Sequence, residues 1–235
     1  MSVDQPTNAM PSSWQRLLAL SGVIFAVLFV VGWFASGADT PDYGATDEDW
    51  TTWSDDTQWR SRIGGVTILL AGFVFLHFAG NLRGVFGAAE RAALGSGVLA
   101  RVAFAGALTG MAGMAMAIVM IAAATSEGPD ADPVVSRAVT TASAGPFLVS
   151  AMGFAALLMA SGMLTLRTGV FARWTGYVAL LGAIAFLITF LTLITGTGEN
   201  SVFGYGFFPG VLALVIWSIA ASITTYRRPL QVQLR

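Results

Sequence analysis

The sequence predicts an all-α fold: a bundle of six transmembrane helices with both termini cytoplasmic and short extracytoplasmic surface helices. Of the 235 residues, 55% are hydrophobic and only 11% are charged, whereas soluble domains are typically about 25% charged. Mean hydropathy is +0.72. Six apolar stretches of about 20 residues, the length that crosses roughly 30 Å of hydrocarbon, alternate with short polar segments.

Each apolar stretch predicts one span. The spans run from Leu17 to Ser36, Ile63 to Leu82, Val102 to Ala124, Phe147 to Leu166, Trp174 to Thr195 and Phe207 to Tyr226. Residues 1–15 are expected to be a disordered cytoplasmic N-terminus, 16–228 a single membrane domain and 229–235 a cytoplasmic tail. The first stretch could be a signal peptide, but its apolar core of about 18 residues exceeds the usual 7–15, so we interpret it as a retained helix.

The charges of the connecting segments predict the orientation. The first, third and fifth connections hold most of the acidic residues, while the second and fourth connections and the two termini hold most of the arginines. Arginine near the ends of spans stays on the cytoplasmic side. The pattern therefore predicts a multi-pass protein of the cytoplasmic (inner) membrane with acidic connections facing outward.

The first connection carries a helix-start signal. Thr46 precedes three acidic residues, as a cap residue precedes a first helical turn. Trp50 and Trp53, three residues apart, share one helix face. We expect a short surface helix over 47–58 that lies on the membrane, turns both tryptophans inward and leads directly into the second span.

A second short helix is predicted before the fourth span. Asp132 followed by Pro133 is typical of a cap and a first-turn proline. Gly145-Pro146 is expected to break or kink the chain, because an uninterrupted helix from Pro133 to Leu166 would be roughly 50 Å long.

The composition excludes several chemistries. All twelve basic residues are arginines, so no lysine can form a Schiff base. The chain has no cysteine and one histidine, which excludes a thiolate nucleophile and a multi-histidine metal site. Ion-coupled transporters and proton pumps usually require a carboxylate within the membrane. The predicted spans contain none, which argues against both classes. We expect no enzyme activity, no metal, no cofactor and no nucleic-acid partner.

His77 is the one ionisable side chain within the predicted spans. Asn81 lies one turn further along the same face. Such groups at membrane depth are candidates for binding a ligand or lining a pore. The alternative is a neutral histidine that is hydrogen-bonded to a neighbouring helix.

The arginines at the cytoplasmic ends of the spans are candidates for anionic lipid. They are Arg83, Arg101, Arg167 and Arg173. Orientation alone also explains them, so lipid specificity does not follow. Small residues line the third span, with Gly106 and Gly110 forming a GxxxG pair that lets helices approach closely; we favour packing within the chain over a homodimer.

A family resemblance rests on two stretches. Residues Ser161 to Gly176, with Arg167-Thr168-Gly169 and Arg173-Trp174, and residues Arg62 to Arg83 resemble actinobacterial six-span membrane proteins, including the DUF4386 type. The chain departs from that pattern at Ala172, where proline is usual, and at His77, where an aromatic is more usual. The resemblance implies a fold and an actinobacterial envelope setting, and it implies no mechanism.

These observations favour a non-enzymatic protein that binds a hydrophobic ligand, a lipid or a membrane partner protein between its helices. The predicted pocket opens outward near Trp50, Trp53 and the turn from Gly196 to Gly206. The alternative is a transporter or channel for a small neutral or hydrophobic solute, with His77 and Asn81 lining its path. A lipid-modifying enzyme ranks last, because no nucleophile or base cluster is present.

Overall fold

A computed structural model describes residues 13–36, 40–42, 44–195 and 203–227, and for residues 13–17 the backbone only. Over these ranges the chain forms helices and no strands. Six of the helices are long and apolar enough to cross a membrane. The six-helix, all-α prediction is confirmed, and the chain is an integral, multi-pass membrane protein.

The ends of the helical segments differ from the predicted span ends by at most four residues, except for the second span, which lies within a much longer helix. In chain order they are α1 Ser13–Ala35, α2 Asp47–Leu94, α3 Val98–Ala124, α4 Pro133–Ala142, α5 Ala144–Thr168, α6 Arg173–Ile188, α7 Thr192–Thr195 and α8 Phe203–Arg227. Short 3-10 turns at Gly128–Asp130 and Thr189–Leu191 precede α4 and α7. The predicted N-terminal segment overlaps the start of α1, while its residues 1–12, the turn residues 196–202 and the tail 228–235 lie outside the described residues.

Residues 47–58 are helical and lead directly into the second span, as predicted, but they are the first turns of one continuous helix, α2, and not a short helix of their own. This helix has 48 residues, or roughly 70 Å at 1.5 Å per residue, and extends well past the hydrocarbon. Its start is confirmed: Thr46 Oγ1 accepts a hydrogen bond from the Asp49 backbone nitrogen at 3.2 Å, and Asp49 Oδ2 accepts one from the Thr46 nitrogen at 3.0 Å. These reciprocal bonds form a capping box.

The second short helix is confirmed as α4. Asp132 Oδ1 accepts hydrogen bonds from the backbone nitrogens of Val134 at 2.8 Å and Val135 at 3.4 Å. The break before the span falls at Ser143, and Pro146 occupies the first turn of α5, where its missing N–H leaves no helical hydrogen bond unmade.

The six spans form a closed ring in chain order. They are α1, α2, α3, α5, α6 continued by α7, and α8. Each packs against the next, and α8 completes the ring by packing against α1. The acidic end of the bundle comprises α4, the first turns of α2 and the connecting residues 40–42, 44–46 and 125–132. The arginine end comprises the connections 95–97 and 169–172, where Gly95 and Gly169 end α2 and α5 with φ of 67° and 65°, a conformation that glycine adopts without strain.

Aromatic rings fill the centre of this ring of helices. Phe75 lies with its ring centroid 4.4 Å from that of Phe25 and 6.1 Å from that of Phe154. Phe154 in turn lies 5.7 Å from Phe186, which lies 5.8 Å from Phe207. All five side chains are fully buried. The centre of the bundle is therefore a packed core built by α1, α2, α5, α6 and α8.

Glycines bring α3 and α5 into backbone contact. A Cβ added to Gly106 would lie 2.6 Å from the carbonyl oxygen of Gly153, and one added to Gly113 would lie 2.7 Å from that of Pro146. Gly110 packs under the ring of Phe154. The GxxxG pair thus serves packing within the chain, as predicted.

Candidate functional site

His77 lies on the perimeter of the bundle. Its neighbour one turn earlier, Phe73, is 62% exposed, and the two rings meet edge to face with centroids 4.9 Å apart. His77 Nδ1 lies 3.0 Å from the Phe73 carbonyl oxygen. The partner of the histidine is thus its own helix, and the ring stands outside the packed phenylalanine core.

This contact defines which ring nitrogen is free. A carbonyl oxygen can only accept a hydrogen bond, so His77 Nδ1 must donate. In the neutral ring Nε2 is then an acceptor, and it has no hydrogen bond to any described residue. Asn81, half-buried one turn further along, likewise makes no side-chain hydrogen bond to the described part of the chain. The structure brings these two predicted residues together on one face of α2.

Trp50 and Trp53 are packed into the acidic end. Trp50 is 1% exposed, and the two indole rings meet edge to face at 5.5 Å between centroids. Both tryptophan side chains therefore turn inward, as predicted. Neither indole N–H, nor the buried hydroxyl of Ser54, has a hydrogen-bond partner among the described residues.

Arg137 of α4 contacts Trp50 and the residues at the start of α2. Its guanidinium donates hydrogen bonds to the Ala45 carbonyl oxygen and to Asp47 Oδ1, each at 2.9 Å. It also lies 5.8 Å from the centre of the Trp50 ring, a cation–π arrangement. Sequence reasoning missed this role; the available signal was a lone arginine within an otherwise acidic segment, opposite the acidic first turn of α2.

A cleft of about 460 Å³ opens beside Trp53 on α2. A pocket near Trp50 and Trp53 was predicted, but the lining differs from the expected chemistry. Four charged side chains line it together with Trp53, two of them Asp49 and Arg60. A hydrophobic ligand has little to contact there. No group of three or more His, Cys, Asp or Glu side chains that could hold a metal occurs in the described part of the chain.

At the arginine end, Arg83 lies over an aromatic ring. Its guanidinium carbon is 5.0 Å from the centre of the Phe104 ring of α3. Arg101 donates from Nε to the Gly97 carbonyl oxygen at 3.2 Å. Arg167 and Arg173 are exposed at the α5–α6 connection, and neither lies over an aromatic ring in the described structure.

Glu90 is a structural residue that sequence reasoning did not single out. Its side chain is 1% exposed, and it accepts hydrogen bonds from Ser96 Oγ and from the backbone nitrogens of Leu99 and Ala100. It therefore caps the start of α3 from the end of α2. The available signal was a single carboxylate just before a Gly-Ser-Gly turn that begins a helix.

No protein-family model matches this chain, and no curated protein or solved structure matches it significantly. The resemblance to the DUF4386 type therefore stays a prediction, and functional inference rests on the geometry of these residues.

Proposed function

We propose that this chain is a non-enzymatic membrane protein that binds an amphipathic ligand, a lipid or lipid-like molecule, on its perimeter beside His77 and Asn81. The observation that carries the proposal is the hydrogen bond from His77 Nδ1 to the Phe73 carbonyl oxygen. It leaves Nε2 free to accept a hydrogen bond from outside the chain.

The cost of unpaired polar groups in hydrocarbon supports a ligand here. Burying such a group without a hydrogen bond costs about 1–3 kcal/mol by protein mutational data. A ligand hydroxyl that donates to His77 Nε2, with further polar atoms against the Asn81 amide, would offset that cost. Phe73 and Leu70, 62% and 53% exposed, offer apolar surface on the same helix face for the body of the ligand.

The packed core favours binding over transport. A channel or transporter needs a path through the bundle that His77 and Asn81 would line. The fully buried rings of Phe75, Phe154 and Phe186 occupy the centre instead, and His77 stands outside them. The ligand we propose accordingly approaches from the lipid, not through the bundle.

Native mass spectrometry of the protein released gently from its own membrane tests this function. His77→Phe keeps an aromatic ring beside Phe73 and removes Nε2, while Met116→Leu changes a 60% exposed residue on another helix. We expect a specific lipid-sized mass on the wild type and on Met116→Leu, and its loss from His77→Phe. Equal retention by all three, a bare wild type, or a retained protein subunit instead of a lipid would each overturn the proposal.

We also propose that the arginine end faces the cytoplasm. The chain has no cysteine, so single cysteines report sidedness cleanly. In intact cells a membrane-impermeant maleimide should label Ser126→Cys at the acidic end and spare Arg91→Cys at the arginine end, both sites being exposed. The reverse labelling would invert the orientation.

A further inference from the structure

We infer that the groove between α2 and α3 at the arginine end binds the phosphate headgroup of an anionic phospholipid, with Arg83 as its principal contact. This site lies on the flank of α2 that faces α3, apart from His77. It extends the proposed function by naming a headgroup class, and it stands on different residues.

The register of the two helices places Arg83 and Arg101 at the same level of the bundle. A Cβ on Gly72 would contact Met111 of α3 at 2.9 Å, and one on Gly65 would contact Ile118 at 3.4 Å. Seven residues along α2 thus match seven along α3 in the opposite direction. Continued toward the arginine end, this register brings Arg83 level with the first turn of α3, where Arg101 lies.

Phe104 fixes the Arg83 guanidinium at this level. The 5.0 Å distance from the guanidinium carbon to the ring centre is within the range of a cation–π contact. A cation–π contact uses none of the guanidinium N–H groups in a hydrogen bond, so a phosphate oxygen can still accept from them. Arg101 lies three residues before Phe104, so its side chain emerges on the same side of α3.

Neither guanidinium forms an ion pair with a carboxylate of the described residues. The ion pair formed by the described residues joins Arg137 to Asp47 at the opposite end. Arg83 has no hydrogen bond to a described residue, and Arg101 uses only Nε, toward Gly97. The nearby carboxylate of Glu90 is buried and already accepts from Ser96, Leu99 and Ala100. Two cationic groups at a lipid-facing groove are therefore left for an external anion.

The part of the groove that runs from the arginines toward the acidic end suits an acyl chain. Leu69 and Leu76 precede Arg83 at intervals of seven residues on α2, and Leu108 follows Phe104 by one turn on α3. These three leucines are 41%, 44% and 39% exposed. Apolar surface that ends at unpaired guanidinium groups is complementary to a lipid with a charged head and apolar tails. A soluble phosphate would use only the arginines.

The test measures the affinity of the intact, detergent-solubilised protein for phosphatidylglycerol, with phosphatidylcholine and soluble glycerol phosphate as the comparison probes. An arginine that contacts the bound headgroup contributes on the order of a fivefold gain for anionic lipid, whereas one away from the groove contributes little. We expect Arg83→Gln/Arg101→Gln to weaken phosphatidylglycerol binding about 10- to 30-fold, and Phe104→Leu to weaken it less. The matched double variant Arg167→Gln/Arg173→Gln removes the same charge from the same end and should change the affinity less than threefold.

Three results would overturn the inference. They are equal losses in the two double variants, a wild type that binds phosphatidylcholine as tightly, and full competition by glycerol phosphate. A thermal unfolding scan without lipid shows whether each variant is folded; if the Arg83→Gln/Arg101→Gln pair is not, Phe104→Leu and the two single variants carry the comparison. Because His77 is unchanged in all of them, the lipid-sized mass that depends on His77 should persist, which separates this test from that of the proposed function.

Discussion

The carboxylate of Glu90 lies 2.9 Å from the backbone nitrogen of Ala100 and accepts its hydrogen bond. A second oxygen accepts from Leu99 at 3.1 Å and from Ser96 Oγ at 2.7 Å. Burial alone raises the pKa of Glu90, but these hydrogen bonds outweigh it and hold the pKa below its ordinary value. The last turns of α2 are thus joined to the first turn of α3 by one charged side chain beyond the apolar stretch of the span.

Replacing this carboxylate should weaken the junction. Glu90→Gln keeps the side-chain shape but removes the charge from the hydrogen bonds and leaves α3 N–H groups poorly paired. We expect the free energy of unfolding in detergent to fall by about 1–3 kcal/mol. Glu127→Gln, an exposed acid at the other end, is the control and should change it by less than about 0.5 kcal/mol. Equal effects would contradict the capping role.

The same residue predicts a pH dependence. The pKa of Glu90 is lowered in the folded protein from its usual 4.5, so its contribution is complete above that value and is lost as pH falls through the folded-state pKa. The difference in unfolding free energy between wild type and Glu90→Gln should therefore be constant near neutrality and shrink below about pH 4.5. Titrating both proteins from pH 7 to acid in one detergent checks this; a difference that grows in acid would refute it.

The contact between α3 and α5 should be intolerant of a single methyl group. In Gly153→Ala the added Cβ would lie 2.6 Å from Gly110 Cα and 2.7 Å from the Gly106 carbonyl oxygen, so the two backbones must separate. We expect a loss of about 1–3 kcal/mol in unfolding free energy. Gly80→Ala is the matched control, because no atom lies within 4 Å of its added Cβ and alanine is favoured within a helix by roughly 0.5–1 kcal/mol. A Gly153→Ala variant as stable as Gly80→Ala would show that the helices are not in backbone contact.

Arg137 should control the order of the first turns of α2. Arg137→Gln removes the ion pair with Asp47, the hydrogen bond to Ala45 and the cation over Trp50. We expect amide hydrogens in residues 47–58 to exchange several-fold faster, while those of α5 are unchanged. Asp47→Asn removes only the ion pair, whose carboxylate is 66% exposed, and should have a smaller effect because exposed pairs contribute little. Equal acceleration by the two variants would place the restraint in the ion pair alone.

The parts of the fold that depend only on neighbouring residues in the chain were predictable. Apolar length identified the six spans, and the cap residues Thr46 and Asp132 identified two helix starts, because these depend on neighbours in the chain. The extent of α2 was not predictable, since the sequence gives no stop between its acidic first turns and its apolar stretch. Contacts between side chains of different helices were not predictable either. That Glu90 caps α3, or that Arg83 contacts Phe104, depends on how two helices pack. His77 was found by its rarity, but its place on the perimeter required the structure.

The turn between α5 and α6 should accept a proline at position 172. Ala172 has φ of −62° and ψ of 138°, close to the φ of about −65° that proline imposes. Its backbone N–H makes no hydrogen bond within the described residues, so none is lost. Ala172→Pro should raise the unfolding free energy by about 0.4–1 kcal/mol by restricting the unfolded chain, and Ala172→Gly should lower it for the opposite reason. Thermal unfolding of the two variants against wild type measures both signs in one experiment. Phe171, the preceding residue, is 4% exposed, and its ring centroid lies 5.5 Å from that of Phe86. A destabilised Ala172→Pro would mean that the proline displaces Phe171. The packing of Phe171, and not the backbone angle of residue 172, would then govern this turn.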